Sequence, residues 1–231
     1  MEAYKFCSFG IPQHRQRIFI TGKRLSKGTT VVSSSLRLSN EATLINQSTY
    51  NLASLNSLSS YRGKFLSWGL AVGDKFTQEQ LADDLCINPK IKLENILQRS
   101  DEINEIYDYT ENTKERILHS DFVNRYHNGV QILYNQGGGA RFGYTIFGDK
   151  GFASTLTAST SRHYERYEIG NRYRRLTNVE YARLMGFPDD WCRCLSLFDQ
   201  HTAFGNAVVP DCVNWIAKQL LLNKTPRSAV A

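Results

Sequence analysis

No stretch of the chain is both long and apolar enough to span a bilayer, and Met1 is not followed by a basic segment and an apolar run. A membrane role is excluded on this reading, and an intracellular protein is expected. The five cysteines, Cys7, Cys86, Cys192, Cys194 and Cys212, are an odd number without framework spacing, which argues for reduced thiols over a disulfide scaffold. Cys192-Arg193-Cys194, with His201 as a third ligand, has the wrong spacing for a zinc finger and no second cysteine pair, so no metal is expected. Gly137-Gly138-Gly139 lacks the Gly-Lys pair and fixed offsets of a phosphate-binding loop and reads as a hinge.

What is present can support a real core: 231 residues, 41% of them hydrophobic, enough for one or two domains. The net charge of +6 is uneven. From Asp74 to Glu115 there are 11 acidic and 5 basic residues, leaving 23 basic against 11 acidic elsewhere. Basic ends around an acidic middle suit a polyanionic partner, although a mild excess of lysine and arginine is also common on proteins that never touch nucleic acid.

Residues 26–60 are rich in Ser, Thr and Asn and read as loops with short strands. Thr77-Gln78-Glu79-Gln80-Leu81 predicts the capped start of a helix, Ile91 to Leu97 a second, and Thr113 to Val123 a third. Beyond Tyr126, Phe142 to Gly148 and Ser154 to Ser159 read as strands. Arg141, Arg162, His163, Arg166 and Arg172 are interleaved with Tyr164, Tyr167 and Tyr173. Such a series fits phosphate contacts and groove insertion, or else a solvated tyrosine-rich β-surface.

Three strings are more specific. In Phe9-Gly10-Ile11-Pro12-Gln13-His14-Arg15-Gln16-Arg17-Ile18-Phe19-Ile20 a turn set by Gly10 and Pro12 leads into a short strand, expected to be buried, with Gln13, Arg15 and Arg17 alternating onto one side. Arg174 to Trp191 contains a helix capped near Thr177 and stopped by Gly186. Phe204-Gly205-Asn206-Ala207-Val208-Val209-Pro210 leads into a helix over Cys212 to Leu222.

In that order these strings resemble the eighth, ninth and tenth motifs of the DNA (cytosine-5) methyltransferases, and Thr155-Leu156 resembles the short signature inside that family's target-recognition domain. Two departures stand out: Ala203 where the family usually has Gln, and Ala207 where it has Ser. The resemblance implies an α/β fold, namely the C-terminal portion of a Rossmann-like methyltransferase catalytic domain with an inserted, largely β target-recognition domain. It divides the chain into 1–25, the strand segment with Gln-x-Arg-x-Arg; 26–173, target recognition; and 174–231, the closing helices.

The resemblance also implies roles. Arg17 would hydrogen-bond O2 of a flipped cytosine, Arg15 would buttress the catalytic loop and Gln13 would order the turn. Asn206, Ala207 and Val208 would form one wall of the S-adenosylmethionine pocket, and Arg141, Thr155, Leu156, Arg162 and Arg166 would lie on double-stranded DNA in the cytoplasm or nucleoid. The family's chemistry also needs a cysteine nucleophile after a proline, a Glu-Asn-Val segment and a Phe-x-Gly-x-Gly cofactor loop. None of these is in the sequence, and none of the five cysteines follows a proline. An N-terminal methyltransferase subunit is therefore expected as a partner, holding most of the cofactor. A DNA-binding module without catalysis and an inactive remnant are the alternatives.

Overall fold

A computed structural model of the chain describes residues 2–22, 44–51, 68–72, 75–81, 87–88, 90–135, 145–158 and 165–222. The fold is mixed α/β, and it divides into two compact units, each drawn from separate parts of the sequence. The first takes in residues 1–5, 16–87 and 213–231; the second takes in 6–15 and 88–212.

The first unit is built on an antiparallel sheet. Its strands are β1 (Glu2–Lys5), β2 (Gln16–Phe19), β3 (Leu44–Asn51), β4 (Trp68–Val72) and β5 (Lys75–Leu81), in the order β2-β1-β4-β5-β3. Trp68 is buried, and Tyr4 packs edge-on against Trp215, with ring centroids 5.4 Å apart, and tilted against Phe19 at 6.0 Å. Large aromatic surfaces of this kind supply most of the apolar burial of a small sheet.

Two expectations fail here. The predicted helix from Thr77 is the strand β5, because its backbone is hydrogen-bonded to β4 on one side and β3 on the other. A local capping pattern, worth about 1 kcal/mol, does not outweigh a ladder on both edges. The expected buried strand at Ile18 is instead the edge of the sheet, with Ile18 51% and Ile20 83% exposed.

The second unit holds a mixed sheet of β6 (Asp121–His127), β7 (Val130–Asn135), β8 (Thr145–Gly151), β9 (Arg166–Ile169) and β10 (Arg172–Arg174), in the order β10-β9-β8-β7-β6. Only the β8–β9 pairing is parallel. The helices are α1 (Glu111–Leu118), α2 (Asn178–Leu184) and α3 (Leu197–Asn206), while α4 (Pro210–Leu222) begins in this unit and continues into the first. Tyr167, Leu176, Tyr181, Leu184, Met185 and Phe204 form much of the core.

The helix after Thr177 forms as expected. The Thr177 hydroxyl accepts from the Glu180 amide and the Glu180 carboxylate accepts from the Thr177 amide, a reciprocal cap that satisfies two otherwise unpaired donors. Gly186, at φ 74°, follows its end. The helix expected over Ile91 to Leu97 shrinks to one 3-10 turn at Leu93–Asn95, and the one expected to reach Val123 stops at Leu118, where β6 follows. Ser154 to Ala158 has no strand ladder; just ahead of it Phe152 and Ala153 make isolated bridges, to Val130 and Gln13.

Candidate active site and nucleic-acid interface

The turn after Gly10 holds its segment against the chain ahead of Thr155. Ala153 donates from its amide to Pro12 O at 2.7 Å, the His14 amide donates to Ala153 O at 3.1 Å, and Thr155 Oγ1 donates to His14 O at 2.8 Å. Arg15 emerges from this turn almost wholly buried, at 3% exposure. Its Nη2 donates to Gly205 O at 2.9 Å, its Nη1 reaches Leu156 O at 3.4 Å, and its guanidinium carbon lies 5.7 Å from the Phe6 ring centroid. One cation therefore joins the Gln-x-Arg-x-Arg turn, the Thr-Leu segment and the Phe-Gly-Asn turn. A hydrogen-bonded buried charge with aromatic contact is strongly held, and its loss would leave two carbonyls short of a donor.

Gly205 explains why this junction needs its sequence. A Cβ there would stand 2.7 Å from the Ala158 amide nitrogen and 2.8 Å from the Thr157 carbonyl carbon. Only glycine lets α3 pack directly on that backbone.

Below the junction, Glu165 is buried and accepts from the Thr157 amide at 2.7 Å, from Thr157 Oγ1 at 2.8 Å and from the Tyr181 hydroxyl. Burial pushes its carboxyl above the usual carboxylate range, while the Tyr181 and Thr157 donors pull it back. Through Glu165, helix α2 is tied to the backbone that carries Thr155 and Leu156. The role of this residue was not visible in the sequence, since a single Glu between two tyrosines reads as a surface charge.

Arg17 lies in the first unit, on β2 opposite Tyr4, and its Nη1 donates to Gln16 O at 2.9 Å. Burial lowers its pKa, yet a guanidinium stays cationic. Gln13 belongs to the second unit and is fully buried; its amide oxygen and nitrogen make no hydrogen bond among the described residues. Leu156 is buried at 2% exposure, so its side chain is core and its carbonyl faces Arg15. Thr155 is half-buried, and Arg166 is half-buried on β9. Asn206 ends α3 and is exposed, as is Val208, with Ala207 half-buried between them. Arg141, Arg162 and the triple glycine lie outside the described residues.

Two of the described thiols, Cys7 and Cys212, are buried in the fold, and burial pushes the Cys212 thiol up to about 12. Among the described residues no group of three or more His, Cys, Asp or Glu could hold a metal ion. The His201 ring is engaged elsewhere, its Nδ1 2.8 Å from Leu197 O and its Nε2 3.3 Å from Leu176 O. Among the described residues no helix is long and apolar enough to cross a membrane.

A cleft of about 320 Å³ opens on the second sheet, with Val130, Ile132 and Phe147 as its apolar lining and Arg125, His127 and Asn135 among its polar groups. His14 and Thr155 also line it, so it adjoins the turn described above. Arg125 and His127 escaped the sequence reading. The signal was Asn128-Gly129, the two-residue turn joining β6 to β7 with φ of 50° and 77°, which marks a hairpin whose flanking strands alternate faces.

Comparison with known proteins gives these features a family. The model of the C-5 cytosine-specific DNA methylases matches residues 1–222. The chain is 26% identical over 226 residues to the Type II methyltransferase M.NgoFVII of Neisseria gonorrhoeae, covering 94% of this chain and 48% of that protein. It is 34% identical over 102 residues to M.NlaX of Neisseria lactamica and 30% over 93 residues to M.SsoII of Shigella sonnei, covering 31% and 24% of those Type II methyltransferases. The chain thus spans at most about half the length of these curated relatives. It also aligns with the crystal structure of the S. pombe Dnmt2 methyltransferase at 12% identity and a TM-score of 0.45, covering 95% of this chain and 55% of that one. With the family model matching nearly its whole length, the chain belongs to the C-5 cytosine-specific DNA methylases.

Proposed function

We propose that this chain is the recognition and closing part of an enzyme that transfers methyl from S-adenosylmethionine to C5 of a flipped cytosine in double-stranded DNA. A complementing polypeptide carries the Pro-Cys nucleophile. The observation that carries the reading is the Arg15 junction, where a single buried guanidinium binds the Gln-x-Arg-x-Arg turn, the Thr-Leu segment and the Phe-Gly-Asn turn. Three motifs far apart in sequence meet there, which is what a base-holding arm, a DNA-facing segment and a cofactor wall require if they are to act together.

Within that enzyme Arg17 donates to cytosine O2, where negative charge grows as the thiolate attacks C6. Arg15 and Glu165 act as positioning residues: Arg15 fixes the backbone at Leu156 and Gly205, and Glu165 fixes Thr157. Buried Gln13 orders the turn. Thr155, Arg141, Arg162 and Arg166 contact DNA, with buried Leu156 supporting Thr155 from below. S-adenosylmethionine supplies the electrophilic methyl group when bound. The residues fit one wall of its site, because exposed Asn206 and Val208 flank Ala207 on a turn braced by Arg15. The exposed edge strand β2, with Ile18 and Ile20 uncovered, supports a partner segment there. On this reading the division of labour is 1–25, 26–173 and 174–231, and the setting is intracellular.

Base readout is assigned to the region between the Gln-x-Arg-x-Arg turn and α2. Exchanging about residues 125–172 for the matching segment of a relative is expected to move methylation to that relative's sites and to leave the product 5-methylcytosine. Bisulfite sequencing of DNA treated with the complemented chimera reads the outcome. An active chimera that still modifies the original sites would contradict the assignment.

A further inference from the structure

Resting on the DNA-methylase reading, we propose that Arg125 and His127 are specificity-determining residues that read a guanine in the major groove. The register of β6 carries the argument. Phe122 pairs with Tyr134 and Arg125 with Ile132, so β6 spends three residues where β7 spends two. The extra residue is a β-bulge at Val123-Asn124, with Asn124 at φ 37°. Without it Asn124 would share the face of Phe122; with it Arg125 does, and His127 follows two residues later. The bulge is held from below: Gln131 Nε2 donates to Asn124 Oδ1 at 2.9 Å, while its Oε1 accepts from the Lys150 amide at 3.1 Å. Gln131 is itself buried. A buried amide bonded at both ends to keep one strand out of register aims the two following basic side chains at a chosen target.

That target is defined by the cleft. Its apolar part is Val130, Ile132 and Phe147, and Arg125 and His127 line it with polar nitrogens. Among the described residues the Arg125 side chain has no hydrogen bond or ion pair, although it lies on a fully exposed strand. Asn128 Nδ2 lies 3.2 Å from His127 Nε2. Guanine is the base that offers two acceptors, N7 and O6, on its major-groove edge, and a guanidinium matches both. The β6–β7 hairpin supplies the carrier, since the major groove admits a two-stranded ribbon. Arg125 is preferred to a phosphate-binding role because its face is the one lined by apolar side chains, suited to the edge of a base.

Selection of the full chain against a randomised duplex pool tests this. The wild type is expected to enrich a motif with guanine fixed at one position. Arg125→Ala is expected to lower the preference for that guanine by roughly tenfold or more while other positions keep theirs, and Arg125→Lys, which retains the charge without the fork, is expected to lose it similarly. His127→Ala is expected to weaken the same position. An even loss of affinity across all sequences with a shallower salt dependence would make Arg125 a phosphate contact and overturn the proposal. An unchanged motif would overturn it also. If the wild type enriches no motif at all, the reading of this chain as the base-recognition part falls, and the proposal with it. Unchanged thermal unfolding of the variants, expected for exposed side chains, assigns the effect to recognition.

Discussion

Replacing Glu180 by alanine is expected to destabilise the chain by about 3–5 kcal/mol, because it strands a buried positive charge. Arg174 and Glu180 are both fully buried and meet in a two-pronged pair, with Nη1 to Oε2 at 2.7 Å and Nη2 to Oε1 at 2.8 Å. The same carboxylate accepts from the Thr177 amide at 2.9 Å and the Gln98 amide at 3.0 Å. Its removal leaves the guanidinium with Arg175 O at 3.0 Å and unpairs two backbone donors. The exposed pair Arg99–Asp101, at 2.9 Å, gives the contrast, since Asp101→Ala is expected to cost about 0–1 kcal/mol. Denaturant titration of both variants measures the difference. A Glu180→Ala cost below that of Asp101→Ala would mean that the buried pair does not support the fold.

The second large effect is on chemistry. In the complemented enzyme Arg17→Ala is expected to lower the single-turnover methyl-transfer rate by roughly a hundredfold or more, the scale of one preorganised donor to a developing anion, with DNA affinity falling much less. A guanidinium on cytosine O2 gains most in the transition state, when attack at C6 drives charge onto the ring oxygen. In the structure Arg17 is half-buried on edge strand β2, and among the described residues its guanidinium donates to the neighbouring Gln16 carbonyl. Among the described residues no ion pair holds it. An unchanged transfer rate with normal DNA binding would reject the base-contact role.

What could be read from the sequence was what depends on neighbouring residues. Thr177 and Glu180 cap α2 because the reciprocal bond spans three residues, and Gly186 stops it by its own backbone conformation. The same reasoning failed at Thr77, where a local cap pattern met a strand position satisfied from both sides by β3 and β4. It failed at Ile18 because apolar identity does not say which strand is the edge.

Within the candidate site, Gln13, Arg15 and Arg17 were found as a string. That Arg15 reaches Leu156 and Gly205 is a matter of contacts 141 and 190 residues away along the chain. Glu165 and Arg125 stayed hidden for related reasons. The value of Glu165 lies in Tyr181 and Thr157 closing over it, and the direction of Arg125 is set by a one-residue bulge that no alternation pattern contains.

The central claim is that the chain supplies base recognition and transition-state support but not the nucleophile. The direct measurement is incorporation of label from methyl-labelled S-adenosylmethionine into duplex DNA. It is made with the 231-residue chain alone and with the chain plus a polypeptide bearing the Pro-Cys loop. The account predicts no incorporation in the first case and 5-methylcytosine in the second; robust methylation by the chain alone would contradict it.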